Sequence, residues 1–329
     1  RVNCQWVVAA RPEGEPRPAD FEYREKPAPA PGPGEIRLET LYLSRAPVMA
    51  MYMSGKVIAE RPPLAIGDVI HGRGVGRVVE SRHPDYAAGE ILHGQFGWQT
   101  YRCTDAAASE RFFRYTATDL PAHLALGALG MTGYSAYCGF VDAGQPRAGD
   151  TVLVSGAAGG VGHLVVQIAK AVGCGRVVGI AGGPEKCALL TELGCDAAID
   201  YRQGDIESAI RTACPDGVDL YFDNVGGEML EAVLENLAMH ARILLCGSIS
   251  EYTRSEPFGP RNYTRLRRVE AVMRGFYVYN HEAGFSEAER RMAGWIRSGE
   301  LRPVQDIVDG FENMPAALIG LYAGSNAGK

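Results

Sequence analysis

The sequence predicts an α/β protein built from two parts, a small antiparallel β-barrel and a doubly wound parallel sheet. Short alternating apolar runs, separated by bends rich in glycine and proline, dominate residues 1–120 and are typical of antiparallel β-structure. From residue 121 onward, strand and helix patterns alternate, as in a sheet whose parallel strands are joined by crossover helices. Residues 151–173 place a buried strand, a glycine cluster and a helix in direct succession, which is the arrangement of a dinucleotide-binding motif.

The bulk composition is that of a globular protein with two domains. A chain of 329 residues predicts two domains, and 46% hydrophobic with 22% charged residues is ordinary for such proteins. The net charge of −6 argues against a nucleic-acid partner, no apolar run is long enough for a membrane span, and no signal peptide is visible. Eight scattered cysteines lack metal-binding spacing and are interpreted as small buried hydrophobic residues in a reducing, cytoplasmic location.

The first part is predicted to contain mainly strands. An apolar run occupies residues 6–10, and a proline-rich loop follows at 26–34. A short helix or turn is predicted at 45–52. Strands are predicted at 35–43, as two strands within 67–80 and as a further pair within 91–101.

The second part is predicted to alternate between strands and helices after a helical stretch at 122–140. The predicted strands are 151–155, 176–181, 197–200, 218–223, 242–246 and 275–279. The predicted helices between them are 164–172, 184–193, 205–212 and 228–237. A helix at 286–297, a strand at 304–309 and a helix starting near Pro315 complete the chain. We therefore predict a barrel domain of residues 1–122 and 284–329 and a nucleotide-binding domain of 123–283, with the ligand in the cleft between them.

The glycine cluster after the first parallel strand is the candidate pyrophosphate site. Gly156, Gly159, Gly160 and Gly162 follow the strand at once and precede the helix. Because glycines lack Cβ atoms, backbone N–H groups can approach a pyrophosphate at the positive end of the helix. The spacing AAGGVG is looser than the usual fingerprint, and by itself it fits an ordinary tight turn equally well.

The end of the second parallel strand indicates which nucleotide binds. In NAD-specific folds an acidic residue at this position binds the ribose 2′-hydroxyl. Here the strand ends in IAGG without an acid, and Lys186 follows in the first turn of the next helix. A cation beside a 2′-phosphate is favourable, so the sequence predicts NADP(H). The alternative is that Lys186 is a solvated helix residue.

Several stretches together carry a resemblance to a known family. They are LYLS (41–44), VGRVVESRHP (75–84), GWQTY (97–101), LGMTGYSAY (129–137), GAAGGVG (156–162), VVGIAGGPEKC (177–187), AAIDY (197–201), DGVDLYFDNVGGE (216–228), RILLCGSISEY (242–252), GPRN (259–262) and FENMPAALIGLYAGSNAGK (311–329). The chain resembles the zinc-independent medium-chain dehydrogenase/reductase superfamily, in the branch of prostaglandin reductase, leukotriene B4 12-hydroxydehydrogenase and plant double-bond reductases. The resemblance implies a GroES-like barrel plus a Rossmann domain, usually in a homodimer, and reduction of the C=C bond of α,β-unsaturated carbonyl compounds by NADPH. Relatives usually continue past the position of Lys329, so a longer natural chain is expected.

The resemblance also implies which residues bind the cofactor. The pyrophosphate loop corresponds to Gly159, Gly160, Val161 and Gly162, and the 2′-phosphate contacts correspond to Lys186 and Tyr201. The other implied contacts are Asn224, the nicotinamide loop Cys246, Gly247, Ser248, Ile249, Ser250 and Tyr252, the flanking segment Phe276, Tyr277 and Val278, and Asn326 at the carboxamide. Taken singly, Asn224 fits a turn and Tyr201 fits a surface cap equally well.

The reaction of such a protein needs no metal. The chain has neither the GHE motif nor the four-cysteine lobe of zinc-dependent relatives, and His71 is read as structural or as part of the cleft wall. Without a metal, hydrogen bonds must stabilise the enolate that forms as hydride reaches the β-carbon. The resemblance implies that the Tyr252 hydroxyl and the nicotinamide-ribose 2′-hydroxyl provide them, although Tyr252 could equally pack on the cofactor. Trp98 and Tyr101 are candidates for the pocket wall or for barrel core.

The chain departs from its family where the substrate is expected. Relatives read approximately LYLSxDPYMRxRM, whereas this chain reads LYLSRAPVMAMYM. Ala46, Val48 and Ala50 replace an aspartate, a tyrosine and an arginine, Arg45 adds a charge, and Tyr52 offers a hydroxyl from another direction. One interpretation is a pocket for a more apolar or bulkier substrate, and another is a changed reaction.

The favoured function is an NADPH-dependent ene-reductase with a specialised, biosynthetic type of substrate. Three alternatives stay open from the sequence. They are a quinone or carbonyl reductase on the same scaffold, a non-redox cyclase or isomerase that keeps NADP as a scaffold, and a non-catalytic NADP-binding protein.

Overall fold

The computed structural model describes residues 1–56, 63–107, 110–252, 254, 256, 258–324 and 326–329. Contacts divide the chain into two compact units, Arg1–Leu126 with Ile307–Ser325 and Gly127–Asp306 with Asn326–Lys329. Within the described ranges, no helix is both long and apolar enough to cross a membrane.

The regular elements alternate along the chain as follows. The strands are β1 (Val2–Val8), β2 (Phe21–Pro27), β3 (Ile36–Leu43), β4 (Arg73–Ser81), β5 (Ile91–Gln95), β6 (Tyr101–Thr104), β7 (Phe113–Arg114), β8 (Thr151–Val154), β9 (Arg176–Ala181), β10 (Ala197–Asp200), β11 (Val218–Asp223), β12 (Leu237–Leu245) and β13 (Val272–Gly275). The α-helices are α1 (Val48–Met53), α2 (Met131–Tyr137), α3 (Gly162–Ala171), α4 (Pro184–Glu192), α5 (Ile206–Ala213), α6 (Gly227–Leu234), α7 (Arg265–Arg268), α8 (Phe285–Ser298) and α9 (Met314–Tyr322). Short 3-10 turns at Ala122–Leu126 and Val278–Gly284 and a π-turn at Cys138–Ala143 supplement them.

The first unit is antiparallel, as the alternating apolar pattern predicts. Its five-stranded sheet has the order β6-β3-β4-β5-β7, and β1 and β2 form a separate two-stranded ladder. On β3, Ile36 and Leu38 are fully buried while Arg37 between them is partly exposed, because alternate side chains of a strand point to opposite faces. Burial of such side chains from water stabilises the unit.

The second unit is a parallel sheet with the order β10-β9-β8-β11-β12-β13. Renumbered from β8, this is the doubly wound order 3-2-1-4-5-6, in which the direction of winding reverses between β8 and β11. On one face, Ile210 of α5 and Val233 of α6 share a buried core with Leu153 and Tyr221 of the sheet. Right-handed crossovers place α3 and α4 on the opposite face. The carboxyl ends of all six strands therefore meet at one edge.

Two predictions for the first unit need correction. The two strands predicted within 67–80 are one strand, β4, because residues 67–72 make only one isolated bridge within the described part of the chain, between Val69 and Val7. Of the strand pair predicted within 91–101, only β5 lies inside that range; the next strand, β6, begins at Tyr101, and the two do not pair with each other. Instead β5 pairs with β4 and β7, and β6 pairs with β3.

In the second unit, the strand predicted at 304–309 is wrong. Val304 N donates to the Nε2 atom of His163, and Asp306 N donates to Lys329 O, so no strand ladder forms there. The strand predicted at 275–279 is shifted to β13 (Val272–Gly275), since the chain leaves the sheet at Phe276. The helix predicted at 228–237 ends at Leu234, and β12 starts earlier than predicted.

The compact units also differ from the predicted domain boundaries. The prediction assigned residues 284–306 to the barrel, whereas contacts assign them to the parallel-sheet unit. The reason is packing on α2: Phe285 of α8 stacks on Tyr134 with ring centroids 4.4 Å apart. The Tyr134 hydroxyl also donates to the Glu289 carboxylate at 3.1 Å in a buried position.

Candidate functional site

The glycine loop lies at the carboxyl end of β8, at the point where the sheet reverses its winding. A Cβ on Gly162 would lie 2.3 Å from Gly156 O, so the turn from loop into α3 excludes any side chain there. The first N–H groups of a helix have no partner within that helix and carry a partial positive charge. The structure thus provides the close backbone approach that a pyrophosphate requires at Gly159–Gly162.

The predicted 2′-phosphate residues lie close to one another at the ends of β9 and β10. A Cβ on Gly182 would lie 2.9 Å from the Tyr201 hydroxyl and 3.0 Å from the Nε atom of Arg202. The pKa of Lys186 is lowered, first by burial and then by the positive charge of Arg202. Lysine and arginine are therefore within electrostatic reach of each other, which favours a polyanion between them. These residues fit the 2′-phosphate of NADP(H).

One oxygen of the Asp200 carboxylate is directed at the backbone of this region. Asp200 ends β10, and its Oδ1 accepts from Gly183 N at 2.9 Å and from Arg202 N at 3.0 Å. These backbone hydrogen bonds lower the pKa of Asp200. The carboxylate thus fixes the turn that carries Arg202 beside Gly182.

Asp223 organises the loop after β11. Its buried Oδ1 accepts hydrogen bonds from Ser155 Oγ at 2.9 Å, from Tyr221 OH at 2.7 Å and from Val225 N at 2.9 Å. Asn224 follows, and its side chain donates to Ser155 O at 2.8 Å. The structure therefore gives Asn224 a role in tying the ends of β8 and β11 together, and a nucleotide contact of its side chain stays a prediction.

The predicted nicotinamide loop, residues 246–252, follows β12 and is bonded to the turn after β11. Cys246 N and Gly247 N both donate to Asp223 O, at 2.9 and 3.0 Å. Ser250 Oγ donates to Val225 O at 2.7 Å, while Ser248 and Ile249 lead into a short 3-10 turn. Burial raises the pKa of the Cys246 thiol to about 12, so this cysteine stays protonated and unreactive.

Tyr252 ends this loop with its phenol folded back over Gly247. Ser248 N donates to the Tyr252 hydroxyl oxygen at 3.4 Å. Burial raises the pKa of Tyr252 above its ordinary value of 10.0. The hydroxyl is therefore a protonated donor at neutral pH, held at the same edge of the sheet as the glycine loop.

The remaining predicted cofactor segments also lie at the carboxyl edge of this sheet. Phe276 N donates to Leu245 O at 3.0 Å, so Phe276, Tyr277 and Val278 leave β13 directly beside the end of β12. Asn326 belongs to residues 326–329, which pair with the glycine loop through the bridge between Gly159 and Gly328. The structure thus places the predicted cofactor residues near one edge of the sheet, with Gly162 and Lys186 in the first turns of α3 and α4 and the others in loops and short turns.

The predicted pocket residues belong to the first unit and have differing environments. Val48 begins α1, and the Tyr52 ring packs edge-on against His71 with centroids 5.7 Å apart. Trp98 is fully buried and stacks on Phe21, which places it in the barrel core. The Tyr101 hydroxyl donates to the Glu39 carboxylate at 2.6 Å. Their contact with substrate stays a prediction.

Sequence reasoning missed Arg202, Asp223 and His163. Arg202 directly follows Tyr201, and a second cation after the third strand was a visible signal. Asp223 and His163 gave no such signal, because their roles depend on hydrogen bonds to distant segments. Among the described residues, no group of three or more His, Cys, Asp or Glu side chains could hold a metal ion.

The sheet order and the glycine loop define the class of dinucleotide-binding domains. Comparison with known families extends this. The N-terminal domain of oxidoreductase matches residues 4–112, and the family described as zinc-binding dehydrogenase matches residues 160–294.

Individual relatives cover nearly the whole chain. The NADPH-dependent curcumin reductase of Escherichia coli (strain K12) is 40% identical, with 99% of this chain and 95% of that protein aligned. Prostaglandin reductase 1 of Bos taurus is 38% identical over 98% of this chain and 97% of that protein. The crystal structure of CurA from Vibrio vulnificus in complex with NADPH superposes with a TM-score of 0.91 at 37% identity, covering 99% of this chain and 97% of that chain.

The chain belongs to the zinc-independent branch of the medium-chain dehydrogenases/reductases that contains these double-bond reductases. It is an NADP(H)-dependent oxidoreductase.

Proposed function

We propose that this protein uses NADPH to reduce the C=C bond of a specialised α,β-unsaturated carbonyl compound. The observation that carries the proposal is the position of Tyr252, whose half-buried, protonated hydroxyl lies at the edge where the predicted cofactor loops converge. The relatives named for curcumin and prostaglandin reduction support the same substrate class.

In this proposal, some residues of the chain bind the cofactor and Tyr252 polarises the carbonyl group of the substrate. NADPH, when bound, would supply a hydride to the β-carbon of the substrate. The charge then moves to the carbonyl oxygen, where Tyr252 O–H donates a hydrogen bond to the enolate. The α-carbon next takes a proton from solvent or through Tyr252, which gives the saturated carbonyl product. The glycine loop would hold the diphosphate, and Lys186, Tyr201 and Arg202 would hold the 2′-phosphate.

The altered segment 45–52 sets the substrate preference in this proposal. Val48 starts α1, and Met49 and Ala50 of the same helix are buried. A valine offers no hydroxyl and less volume than the tyrosine of relatives, so the pocket accepts a bulkier, more apolar group.

We also propose that the protein forms a homodimer and is cytoplasmic. β13 is an edge strand of the six-stranded sheet, and Val272 on it is 62% exposed. An exposed, apolar edge strand is suited to pairing with a second copy, so we assign a homodimer through β13. The eight cysteines are all free thiols, which suits a reducing cytoplasm.

The experiment is NADPH consumption with a panel of enals, enones and quinones, followed by mass spectrometry of the products. The expected result is NADPH-linked gain of two hydrogens at the C=C bond of bulky enones. Quinone turnover without alkene reduction would replace the proposal by a quinone reductase. NADPH binding with product formation but no NADPH loss would replace it by a non-redox cyclase.

A further inference from the structure

His163 joins two segments that lie far apart in the sequence. Its side chain is 1% exposed and extends from the first turn of α3. The Nδ1 atom lies 2.8 Å from Gly159 O, in the glycine loop. The Nε2 atom lies 3.1 Å from Val304 N, in the segment that follows α8. One imidazole ring therefore spans the loop and the returning chain.

The two partners fix the protonation of this ring. A carbonyl oxygen accepts, so Nδ1 must carry the hydrogen; a backbone N–H donates, so Nε2 must present its lone pair. Burial lowers the pKa of His163 to about 4, which keeps the neutral form at physiological pH. The ring is thus a directional connector with one donor and one acceptor.

Gln167 repeats the connection one turn further along α3. Its Nε2 atom donates to His163 O at 2.7 Å and to Arg302 O at 3.1 Å, and its Oε1 atom accepts from Arg302 N at 2.7 Å. Residues four apart lie on the same helix face. The segment 302–304 is therefore held to α3 by two neighbouring side chains.

This segment in turn holds residues 326–329. Lys329 N donates to Val304 O at 3.0 Å, and Asp306 N donates to Lys329 O at 2.7 Å. Gly328 N completes the arrangement by donating to Ala158 O at 2.8 Å. The glycine loop, segment 302–306 and segment 326–329 thus form one continuous hydrogen-bonded set with His163 inside it.

We propose that His163 is a positioning residue for NADP(H) binding, which holds segment 326–329 and its Asn326 against the glycine loop through Val304. The inference rests on the proposed function only in taking the glycine loop as the nucleotide site. In this role the acceptor at Nε2 matters more than the bulk of the ring, because Nε2 is the atom of His163 that bonds to Val304.

Two amide variants separate the two ends of the connector. In His163→Gln the amide reaches the position of Nε2 and its oxygen can accept from Val304 N–H. In His163→Asn the shorter amide can donate to Gly159 O but leaves Val304 N–H without its acceptor. Both variants replace the ring by a neutral amide, so each serves as the other's control for lost packing. Lys170→Ala, on the exposed face of α3, serves as a surface control.

The test measures amide hydrogen exchange of residues 302–306 and 326–329 in the full chain without nucleotide, and the Kd for NADPH by fluorescence titration. We expect His163→Asn to speed exchange in both segments and to raise the Kd about tenfold, with His163→Gln close to wild type. Equal weakening by both variants, or unchanged exchange and Kd in His163→Asn, would overturn the proposal.

The exchange measurement is independent of the reaction. If the wild type reduces no enone, the proposed function fails, while loss of protection in His163→Asn still reports the connection. If protection is lost and the Kd does not change, the positioning role in nucleotide binding is refuted.

Discussion

At the scale of single residues, the proposed site assigns the choice between NADP(H) and NAD(H) to side chains that follow two adjacent strands. Lys186 lies in the first turn of α4, whereas Tyr201 and Arg202 follow β10, and Gly182 leaves room for Tyr201 and Arg202 to approach. The missing acid at the end of β9 removes a repulsive charge, and the two cations add attraction. Preference for a 2′-phosphate is therefore a sum of several modest contributions.

Arg202→Ala tests the contribution of Arg202 to binding of the 2′-phosphate. Because one charge-assisted contact to phosphate is lost, we expect the Kd for NADPH to rise about tenfold while the Kd for NADH stays constant. Lys186→Ala should act in the same direction. The control is Arg211→Ala, since Arg211 is exposed and pairs with Glu207. Parallel changes for NADPH and NADH in Arg202→Ala would contradict the role.

Tyr252→Phe tests the donor to the enolate. Removal of one hydrogen-bond donor from a developing oxyanion should lower kcat about 100-fold with little change in the Kd for NADPH. Because burial raises the Tyr252 pKa above 10.0, ionisation of this phenol should not lower the wild-type rate below that pH. Steady-state kinetics as a function of pH measures both effects.

Tyr263→Phe is the matched control for this prediction, because Tyr263 is 62% exposed. A kcat in Tyr252→Phe equal to that of Tyr263→Phe would leave Tyr252 as a packing residue only.

At the scale of elements, a short segment without regular secondary structure forms part of the candidate site. Residues 326–329 form no regular strand, yet Gly328 contacts both the glycine loop and segment 302–306. Gly328 has φ +69°, and a Cβ there would lie 2.2 Å from Val304 O. Glycine is thus required by backbone conformation and by space at once.

Gly328→Ala should therefore displace segment 326–329 and raise the Kd for NADPH about tenfold. Gly173→Ala is the control, since Gly173 has φ +86° and no neighbouring atom within 4 Å of an added Cβ. Both variants introduce similar backbone strain, but only Gly328→Ala introduces the clash. Fluorescence titration with NADPH measures the difference, and equal Kd values in the two variants would refute a role of this segment in binding.

At the scale of the whole molecule, each unit buries a neutral histidine. Burial, with Arg73 as a second cause, lowers the pKa of His93 to about 3, and burial lowers that of His163 to about 4. Both lie below the ordinary value of 6.5, so the unfolded chain takes up protons first as the pH falls. This contribution to the free energy of unfolding is complete above about pH 6.5 and declines toward pH 4.

We therefore expect each histidine to remove about 2 kcal/mol of stability between pH 7 and pH 5. Urea unfolding followed by circular dichroism at the two pH values measures the loss. In His163→Gln, which has no titrating group at this position, the loss should be smaller by about that amount. An identical loss of stability in wild type and variant would show that the pKa of His163 does not differ between the folded and unfolded states.

Much of the fold was predictable because its local signals agree. β9, β10 and β11 form at the predicted residues, α4 ends one residue early, and α5 is shifted by one residue at both ends. Each of these strands is a short apolar run, and the segments between them contain glycines and apolar residues at helical spacing. Such a pattern leaves few alternatives to alternating strands and helices. Segment 304–309 misled the prediction, since its apolar residues are typical of a strand while its hydrogen bonds go to a histidine side chain and to residue 329.

The candidate site was predictable to a similar extent. The positions of the glycine loop and Lys186 follow from strand ends, because the carboxyl ends of parallel strands converge. The loop after β12 was implied only by the resemblance to the family. The environment of Trp98 could not be predicted, because a tryptophan in a glycine-rich strand region fits a pocket wall or the core equally well. Its burial against Phe21 depends on tertiary packing.

The sequence by itself determined the class of fold, the nucleotide and the family, because these depend on local patterns and on motifs of fixed spacing. The tertiary structure decided which groups lie beside these motifs: Arg202 beside Lys186, Asp223 under the loop after β12, and His163 between the glycine loop and Val304. The physical reason is that a buried hydrogen bond needs a partner of matching polarity in space, and that partner can come from anywhere along the chain.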